Sequence, residues 1–237
     1  NGTKRFITNA PYAHVLTVMA RTNPEIKGAG GISAFIVERG SNGLSFGKPE
    51  KKMGQQGAHV CDVIFEDCRV PAENLIGGVE GQGFKTAMKT LDRGRLHLAG
   101  VCVGFAERAM DTALAYACER KQFGQPIADF QLVQAMLADS KTEIFAAECM
   151  TIEAARRRDE GQNVATEAAC CKMFASEMAG RVVDRAVQIF GGSGYIADYG
   201  VERMYRDARL FRLYEGTTQI QQIVIARNMI RELRAGL

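Results

Sequence analysis

The segment Leu213-Tyr-Glu-Gly-Thr-Thr-Gln-Ile220 holds a single carboxylate, Glu215, between an aromatic residue and a glycine, just before an apolar stretch. A glutamate in such a loop is most often a solvated surface acid. Its apolar neighbours could nevertheless shield the carboxylate from water, and Gly216 lets a ligand approach the backbone closely. Thr218 and Gln221 have the spacing of a capping box, which places this acid in the loop before a helix. Glu215 is therefore either a surface acid or a general base for a carbon-bound proton, and the pattern alone favours the surface acid.

Two further segments combine residue types that can bind a phosphate-bearing ligand. They are Arg120-Lys-Gln-Phe-Gly124 and Gln188-Ile-Phe-Gly-Gly-Ser-Gly194. The cations of the first suit a helix C-terminus, so helix capping is the simpler interpretation and contact with a cofactor is the alternative. The glycines of the second let backbone N–H groups approach a ligand, but a helix C-cap would also use them. Because this segment follows a predicted helix, neither a Rossmann nor a P-loop context is met.

The overall composition argues against several classes of function. The 237 residues are 46% hydrophobic and 24% charged, which is typical of a globular protein with a sizeable core. A net charge of +3, with no run of five like charges, argues against a nucleic-acid partner. No apolar run reaches the length that crosses a membrane. The three histidines, His14, His59 and His97, lack metal-ligand spacing, so we expect no metal site.

The cysteines point to a reducing environment. There are seven, an odd number, and none forms a Cys-x-x-Cys pair. Cys170 and Cys171 are adjacent, and the others lie in apolar helical or strand contexts. This pattern predicts reduced, buried thiols rather than a disulfide or zinc framework.

Strand-like sequence fills residues 1 to about 75. Runs of apolar and β-branched residues, bounded by Gly, Pro and Asn, lie at 14–20, 31–38 and 59–66. The last run alternates, with Cys61, Val63 and Phe65 on one side. The hairpin spacing predicts a small antiparallel barrel or sandwich rather than a doubly wound sheet.

Helix-forming sequence follows from about residue 81. Four long amphipathic helices are predicted, at 81–120, 127–158, 163–190 and 220–233. Short glycine-containing turns separate them, as in an antiparallel bundle. We therefore predict a β domain at 1–76 and a four-helix-bundle domain at 77–237.

Nine short stretches occur in a fixed order along the chain. They are Phe6-Ile-Thr-Asn-Ala10, Lys52-Met-Gly54, Phe65-Glu-Asp-Cys-Arg-Val-Pro71, Gly81-Gln-Gly-Phe84, Leu91-Asp-Arg-Gly-Arg95, Glu119-Arg-Lys-Gln-Phe-Gly124, Gln188-Ile-Phe-Gly-Gly-Ser-Gly194, Arg206-Asp-Ala208 and Tyr214-Glu-Gly-Thr217. Each stretch has little specificity alone, but the nine together at this spacing are highly specific. With them the chain resembles the acyl-CoA dehydrogenases over its whole length.

The resemblance implies a fold. The family has an N-terminal helical domain, a middle β domain and a C-terminal four-helix bundle. This chain matches the second part of the β domain and the whole bundle. The Asn1-Gly2 pair, a hairpin-turn signal at the start of the chain, also leads us to expect sequence upstream.

The resemblance also implies a reaction, the FAD-dependent oxidation of an acyl-CoA thioester to the trans-2-enoyl-CoA. In the family a carboxylate removes the α proton while the β hydrogen leaves as hydride to flavin N5, and Glu215 matches this base. Some relatives carry the base on the Leu-Asp-x-x-Arg helix, but the corresponding residue here is Gly94, which cannot accept a proton. The thioester carbonyl is held in the family by the base residue's backbone N–H and a flavin ribityl hydroxyl, an oxyanion-hole arrangement.

Several residues match the family's contacts to FAD. At the flavin ring, Phe6 stands where tryptophan is more common, and Thr8 matches a hydrogen-bonding position. Contacts to the diphosphate and adenosine of a neighbouring subunit's FAD are matched by Arg120, Gln122, Phe123 and Gln131. A glycine-rich loop that reaches the same neighbouring FAD is matched by Gln188, Gly191 and Gly192. Further FAD contacts beyond the base are matched by Thr217 and Gln219.

Contacts to the CoA and acyl portions are implied in the same way. The matching residues are Asp92, Arg95, Gly216 and Arg227. Because cofactor-binding residues of the family reach a neighbouring subunit, we expect a homo-oligomer, either a dimer or a homotetramer built as a dimer of dimers. Electrons would pass to an electron-transferring flavoprotein, as in fatty acid β-oxidation. The implied location is the bacterial cytoplasm or the mitochondrial matrix.

Two alternatives stand beside a dehydrogenase. An acyl-CoA oxidase would return the electrons to oxygen. A flavin-free homologue would be a non-catalytic assembly module, which the retention of Glu215, Arg120 and Gln188 disfavours. We expect this polypeptide alone to bind FAD weakly or not at all, and the intact protein to bind it tightly.

Overall fold

The computed structural model describes residues 1–236. They form two compact units, one of residues Asn1–Thr90 and one that begins at Leu91. The boundary lies inside the first long helix, whose first two turns belong to the β unit. The domain boundary predicted between residues 76 and 77 lies before this helix and stays a prediction.

The β unit contains two antiparallel sheets. Strands β1 (Gly2–Thr8), β4 (Leu44–Phe46) and β5 (Val60–Phe65) form one sheet in the order β1-β5-β4. Strands β2 (Val15–Arg21) and β3 (Ile32–Glu38) form the other sheet. The predicted antiparallel β fold is confirmed. The three predicted runs correspond to β2, β3 and β5, and their bounds differ by no more than one residue at either end.

The alternation in β5 divides the strand into an inner and an outer face. Cys61 is 0% exposed and Val63 1% exposed, and both pack in a core with Ala10 and Leu16. Asp62, between them, is only partly buried. One face of the strand is therefore apolar and inward, as a period of two predicts.

The start of β1 differs from the prediction. Asn1 and Gly2 form no hairpin turn, because Gly2 begins the strand and pairs with Phe65 of β5. The pairing register then shifts between Lys4 and Ile7, which marks a β-bulge. A bulge changes the direction in which a strand presents its side chains.

Up to residue 236, the helical part of the chain contains four long helices and one short one. They are α1 (Gly83–Glu119), α2 (Gln131–Asp159), α3 (Ala165–Phe190), α4 (Val201–Ala208) and α5 (Thr218–Ala235). A small hairpin, β6 (Lys121–Gln122) and β7 (Gln125–Pro126), lies between α1 and α2. Short 3-10 turns lie at Ala29–Gly31, Ala72–Asn74, Ile127–Asp129, Gly191–Tyr195, Ala197–Tyr199 and Arg209–Arg212.

The four long helices confirm the predicted bundle, whereas α4 was not predicted. A helix of eight residues makes barely two turns, too few for apolar periodicity to identify it. Within residues 1–236, no helix combines the length and the apolar composition that a membrane crossing requires.

Successive long helices run antiparallel. Arg185, near the end of α3, binds Glu143 of α2 at 3.1 Å, whereas Glu167, near the start of α3, lies 3.5 Å from Arg157 at the end of α2. Hydrogen bonds between α3 and α5 follow the same opposed order. This is an up-and-down arrangement, in which a short connection joins α2 to α3 and a longer one, which includes α4, joins α3 to α5.

Helix α3 is the central helix of the bundle. It packs against α2, α4 and α5. Its buried side chains recur every three or four residues and include Ala168, Cys171, Lys172, Ala175, Met178, Ala179, Val182, Ala186 and Ile189. This spacing is the inward stripe of an amphipathic helix. Lys172 is the one charged residue in the stripe, and it is fully buried.

The seven cysteines are unpaired, as predicted, but they differ in burial. Cys61, Cys102 and Cys171 are buried. Cys118 and Cys149 are exposed on helix surfaces, contrary to the expectation of uniformly buried thiols. A helix with a largely apolar sequence still directs some of its side chains to the surface, and both cysteines lie on such positions.

We expect alkylation to separate the buried thiols from the exposed ones. Burial raises the pKa of Cys102 to about 12 and that of Cys171 to about 11, so neither forms much thiolate near neutral pH. Treating the native protein with iodoacetamide and mapping the peptides by mass should modify Cys118 and leave Cys102 and Cys171 unmodified. All three should react after denaturation in guanidinium. Labelling of Cys102 in the native protein would contradict its burial.

Candidate active site

Glu215 lies in the loop between the 3-10 turn Arg209–Arg212 and helix α5. Its backbone adopts φ 56°, in the left-handed region. This conformation costs a non-glycine residue about 1–2 kcal/mol. Gly216 follows with φ 87°, which only glycine adopts readily. Strain of this kind persists where the surrounding structure fixes it, and it concentrates at functional sites.

The N-cap of α5 lies one residue earlier than predicted. Thr217 is the cap, and its Oγ1 accepts a hydrogen bond from the Ile220 N–H at 3.3 Å. Thr218 is buried and donates instead to Glu177 Oε1 at 2.7 Å. The predicted capping box of Thr218 and Gln221 is therefore wrong. Its consequence, a loop directly before the helix, is nevertheless what the structure shows.

The carboxylate of Glu215 lies against α1 at Gly94. A Cβ atom on Gly94 would stand 2.6 Å from Glu215 Oε2 and 3.2 Å from Cδ. A carbon and an oxygen that are not bonded to each other do not come as close as 2.6 Å. Glycine at position 94 therefore leaves the space that the carboxylate occupies. Positions 94 and 215, the two at which the family carries its base, are thus in direct contact. Only Glu215 has a carboxylate, and its side chain is partly buried.

A buried lysine and a buried glutamine hold the backbone beneath this loop. Lys172 of α3 is 0% exposed, and its Nζ donates to the Gly216 carbonyl oxygen at 2.6 Å. Gln221 of α5 is also 0% exposed, and its Nε2 donates to the carbonyl oxygens of Glu215 at 3.0 Å and Gly216 at 3.1 Å. Burial lowers the pKa of the Lys172 ammonium group.

Asp92 and Arg95, both predicted to contact substrate, pair with each other on α1. Arg95 Nη1 lies 2.8 Å from Asp92 Oδ1, and Arg95 is 6% exposed. Its Nε is buried and has no hydrogen-bond partner within the described residues. Because Arg95 is the neighbour of Gly94, this pair lies in the helix turn that contacts Glu215. Gly216 follows Glu215 directly, and the Asp92–Arg95 pair shares a turn of α1 with Gly94.

Arg227, also predicted to contact substrate, lies away from this cluster. It is exposed and stands nine residues into α5, about 14 Å along the helix from Thr218. Gln219, a predicted FAD contact, is exposed in the first turn of the same helix. Thr217 is partly buried and uses its hydroxyl oxygen in the cap.

A second group of predicted residues lies at the far end of α1. Arg120 follows the helix, and Gln122 and Phe123 belong to the β6–β7 hairpin, all three exposed. From Arg95 to Glu119 the helix rises about 36 Å. This group therefore cannot contact the same part of a ligand as Glu215 within one chain. Gln131 is exposed at the start of α2.

The predicted residues of segment 188–194 lie at the same end. Gln188 is in the last turn of α3, and Gly191 is the C-cap with φ 60°. Gly192 continues the loop, exposed like Gly191. Phe190 stacks on Tyr116 of α1 with ring centroids 4.0 Å apart. The ends of α1 and α3, which carry the two candidate cofactor segments, are therefore neighbours.

Two of the predicted cofactor residues are exposed aromatics with a strained backbone. Phe6, in the β1 bulge, has φ 57° and is 66% exposed, with Thr8 exposed at the end of the same strand. Phe123, at the hairpin tip, has φ 51° and is 93% exposed. Positive φ is rare for bulky residues, and an open aromatic face can stack on a planar ring. Within the helical unit, Phe123 and the nearby Arg120 are of the types that stack on a flat ring and pair with a phosphate.

Sequence reasoning missed the buried supports of the loop. Lys172 carried one usable signal, since it is a lone lysine on the apolar stripe of α3, between Ala168 and Ala175. Gln221 was noticed only as part of a capping box. Its true partners are the carbonyl groups of Glu215 and Gly216, which a cap pattern does not indicate. Within residues 1–236, no three His, Cys, Asp or Glu side chains are grouped to hold a metal ion.

Comparison with known families and proteins gives consistent matches along the chain. Residues 1–68 match the family described as "Acyl-CoA dehydrogenase, middle domain", and residues 81–230 match "Acyl-CoA dehydrogenase, C-terminal domain". The caffeyl-CoA reductase-Etf complex subunit CarC of Acetobacterium woodii is 49% identical, with 98% of this chain and 61% of that protein covered. The acryloyl-CoA reductase (NADH) of Anaerotignum propionicum is 48% identical, with 98% and 58% covered.

A solved structure shows the same backbone. The butyryl-CoA dehydrogenase of Megasphaera elsdenii superimposes with a TM-score of 0.93 at 44% identity, covering 97% of this chain and 60% of that one. The chain thus spans about three fifths of the length of the relatives it matches.

Proposed function

Because the chain belongs to the acyl-CoA dehydrogenase family, we propose that it is part of an FAD-dependent enzyme that interconverts an acyl-CoA thioester and its trans-2-enoyl-CoA. The observation that carries this proposal is the placement of Glu215. Its carboxylate rests where Gly94 leaves space for it, on a strained turn fixed by two buried side chains. A surface acid needs none of these features.

In the forward direction, Glu215 accepts the proton of the α carbon at a carboxylate oxygen. The C–H electron pair is then delocalised onto the thioester carbonyl oxygen, which becomes negatively charged and needs hydrogen-bond donors. The backbone N–H of Glu215 has no acceptor within residues 1–236, so it is free to donate to that oxygen. One residue would therefore supply both the base and an oxyanion donor.

FAD, when bound, would supply the two-electron acceptor for the hydrogen that leaves the β carbon. Phe6 and Thr8 would hold its ring, and Thr217 and Gln219 would make further contacts. At the other end of the helical unit, Phe123 would stack on the adenine and Arg120 would pair with the diphosphate. Further contacts to this part of the cofactor would come from the side chains of Gln122, Gln131 and Gln188 and from the exposed backbone of Gly191 and Gly192.

Asp92 and Arg95 would position the substrate. The ion pair at 2.8 Å fixes the Arg95 guanidinium, whose Nε is buried and has no hydrogen-bond partner within residues 1–236. Gly216 leaves the backbone beside the base open to the thioester. Arg227, on the exposed face of α5, would contact the CoA portion only at a distance from the reacting carbon.

The separation of the two groups supports a homo-oligomer. About 36 Å of helix lies between Arg95 and Glu119, so residues at the far end would serve the cofactor of a neighbouring subunit. Exposed apolar side chains on α2, such as Leu132 at 82% exposure, are available for such a contact. We propose a dimer or a dimer of dimers.

The reverse direction is a second candidate, and the names of two relatives favour it. The caffeyl-CoA reductase subunit and the acryloyl-CoA reductase are at least as similar to this chain as the butyryl-CoA dehydrogenase is. In that direction Glu215, in its protonated form, gives its proton to the α carbon of the enoyl-CoA. Since the CarC name includes Etf, an electron-transferring flavoprotein is the electron partner we propose in either direction.

Flavin absorbance of the intact protein tests the function. We expect a saturated acyl-CoA to bleach the oxidised flavin under anaerobic conditions, and an enoyl-CoA to restore the colour of the reduced flavin. A panel of acyl chain lengths would give the preferred substrate. Oxygen uptake, with and without an electron-transferring flavoprotein, would distinguish an oxidase. No response to any thioester in either direction would contradict the proposal.

A further inference from the structure

Lys172 is the most unusual charged group in the helical unit. It is fully buried in the apolar stripe of α3, and no carboxylate lies within ion-pair distance of its Nζ in the described part of the chain. Its hydrogen bond is to a backbone carbonyl, that of Gly216, at 2.6 Å. Burial of an amino group with so little compensation opposes folding when the group is charged. Stability alone therefore does not account for a lysine here.

The carbonyl that Lys172 binds belongs to the residue after Glu215. Gln221 donates to the same oxygen at 3.1 Å and to the preceding carbonyl, that of Glu215, at 3.0 Å. Two consecutive carbonyl groups are thus turned toward the buried side of the loop. Because each peptide unit is planar and trans, the N–H groups of Gly216 and Thr217 point the opposite way.

The fit of this arrangement is tight. A Cβ atom on Gly216 would stand 2.5 Å from Gln221 Nε2. The Gln221 side-chain amide therefore lies closer to the backbone at position 216 than any side chain there would allow. Two residues further on, Thr218 is fixed as well, because its hydroxyl donates to Glu177 Oε1 at 2.7 Å. The backbone on the C-terminal side of Glu215 therefore has little freedom.

We propose that Lys172 is a positioning residue for the base: by holding the Gly216 carbonyl on the buried side, together with Gln221, it fixes the turn that aims the Glu215 carboxylate and N–H at the substrate. This rests on the proposed function, in which Glu215 is the base. Lys172 does not touch the substrate and acts only through the peptide it binds.

The groups around Lys172 are consistent with this role. Cys102 and Arg95 face it from α1, Glu177 lies on its own helix, and Glu215 lies in the loop. Desolvation is the largest influence on its pKa and lowers it, ahead of the opposing effects of Cys102 and Glu177. A neutral amine and an ammonium group both donate to a carbonyl, so the positioning contact does not depend on the charge of Lys172.

The test is Lys172→Met in the intact FAD-containing protein. Methionine has nearly the same length and volume but no donor. We expect kcat per bound flavin to fall about tenfold, because the Glu215 carboxylate is no longer held in its catalytic position. KM should change little. The primary isotope effect from an α-deuterated substrate should rise, because proton abstraction becomes more rate-limiting. The melting temperature should stay the same or increase, because an uncompensated polar group leaves the core.

Two further variants complete the design. Gln221→Met removes the other donor to the same carbonyl and should likewise lower kcat. In both variants the backbone amides of Ile220 and Gln221, which donate to Thr217, should exchange with solvent faster, because the turn before them has lost a restraint. Lys141→Met, at an exposed lysine of α2, is the matched control and should change nothing.

The outcomes separate this inference from the proposed function. Wild-type kcat and isotope effect in Lys172→Met, beside an inactive Glu215→Gln, would overturn the positioning role and leave the base assignment intact. A lower melting temperature with loss of flavin, and a normal isotope effect, would show a merely structural lysine and also overturn it. A fully active Glu215→Gln would overturn the proposed function and this inference together.

Discussion

The variant Glu215→Gln of the intact protein should lose nearly all turnover while keeping its flavin. The amide has the size and shape of the carboxylate but cannot accept a proton from carbon. A general base contributes about 10²–10⁴-fold to rate, and we expect a loss in or above this range because Gly94, at the alternative position, offers no second base. The measurement is the rate of flavin bleaching by acyl-CoA under anaerobic conditions, together with the ratio of flavin to protein.

The matched control is Glu232→Gln, which removes an exposed carboxylate from α5 of the same unit. It should bleach at the wild-type rate. Bleaching of Glu215→Gln at a rate near that of this control would rule out the assigned role. A variant that had lost its flavin would instead show that Glu215 supports the cofactor site, which is why the flavin ratio is measured beside the rate.

The parts of the fold that repeat over several turns or pairs could be predicted from the sequence. Cys61 and Val63 revealed the inner face of β5 through alternation, and the stripe of α3 revealed a helix through its three- and four-residue spacing. Helix α4 was missed because eight residues contain too little of that repeat. Local pattern is therefore sufficient for long elements and insufficient for short ones.

The candidate site divides in the same way. Glu215 could be singled out because its neighbours in sequence are distinctive. The groups that hold it, Lys172 and Gln221, act through backbone carbonyls, and a carbonyl has the same chemistry at every residue. Only the fold determines which carbonyl a buried donor meets. The cap at Thr217 instead of Thr218 shows the same limit, because from the sequence alone either hydroxyl could be the N-cap.

The sequence did not indicate that α1 and the loop of Glu215 touch each other. It indicated only that Gly94 cannot act as a base, which concerns the chemistry of this residue and not its position. Its role in the structure is steric, because it leaves the space that the Glu215 carboxylate fills. A glycine in a long helix costs about 1 kcal/mol relative to alanine. Its presence there is explained by what lies against it.

The variant Gly94→Ala should therefore separate activity from stability. The new methyl group would stand 2.6 Å from Glu215 Oε2, the end of a flexible side chain, which can move aside at little cost. We expect the carboxylate to shift by about 1 Å or more and kcat to fall about 10²-fold. The free energy of unfolding should stay the same or rise by up to about 1 kcal/mol, because alanine favours the helix.

Gly100 and Gly104 of the same helix provide the matched controls, because a Cβ atom on either would meet nothing within 4 Å. Gly100→Ala and Gly104→Ala should raise stability by a similar amount and leave the rate of flavin bleaching unchanged. If Gly94→Ala keeps the wild-type rate, the carboxylate does not act from the place the structure gives it. If all three variants lose activity equally, the loss comes from stiffening of α1 and not from Glu215. A loss confined to Gly94→Ala, in a protein that is no less stable, would tie turnover to the space beside this one carboxylate.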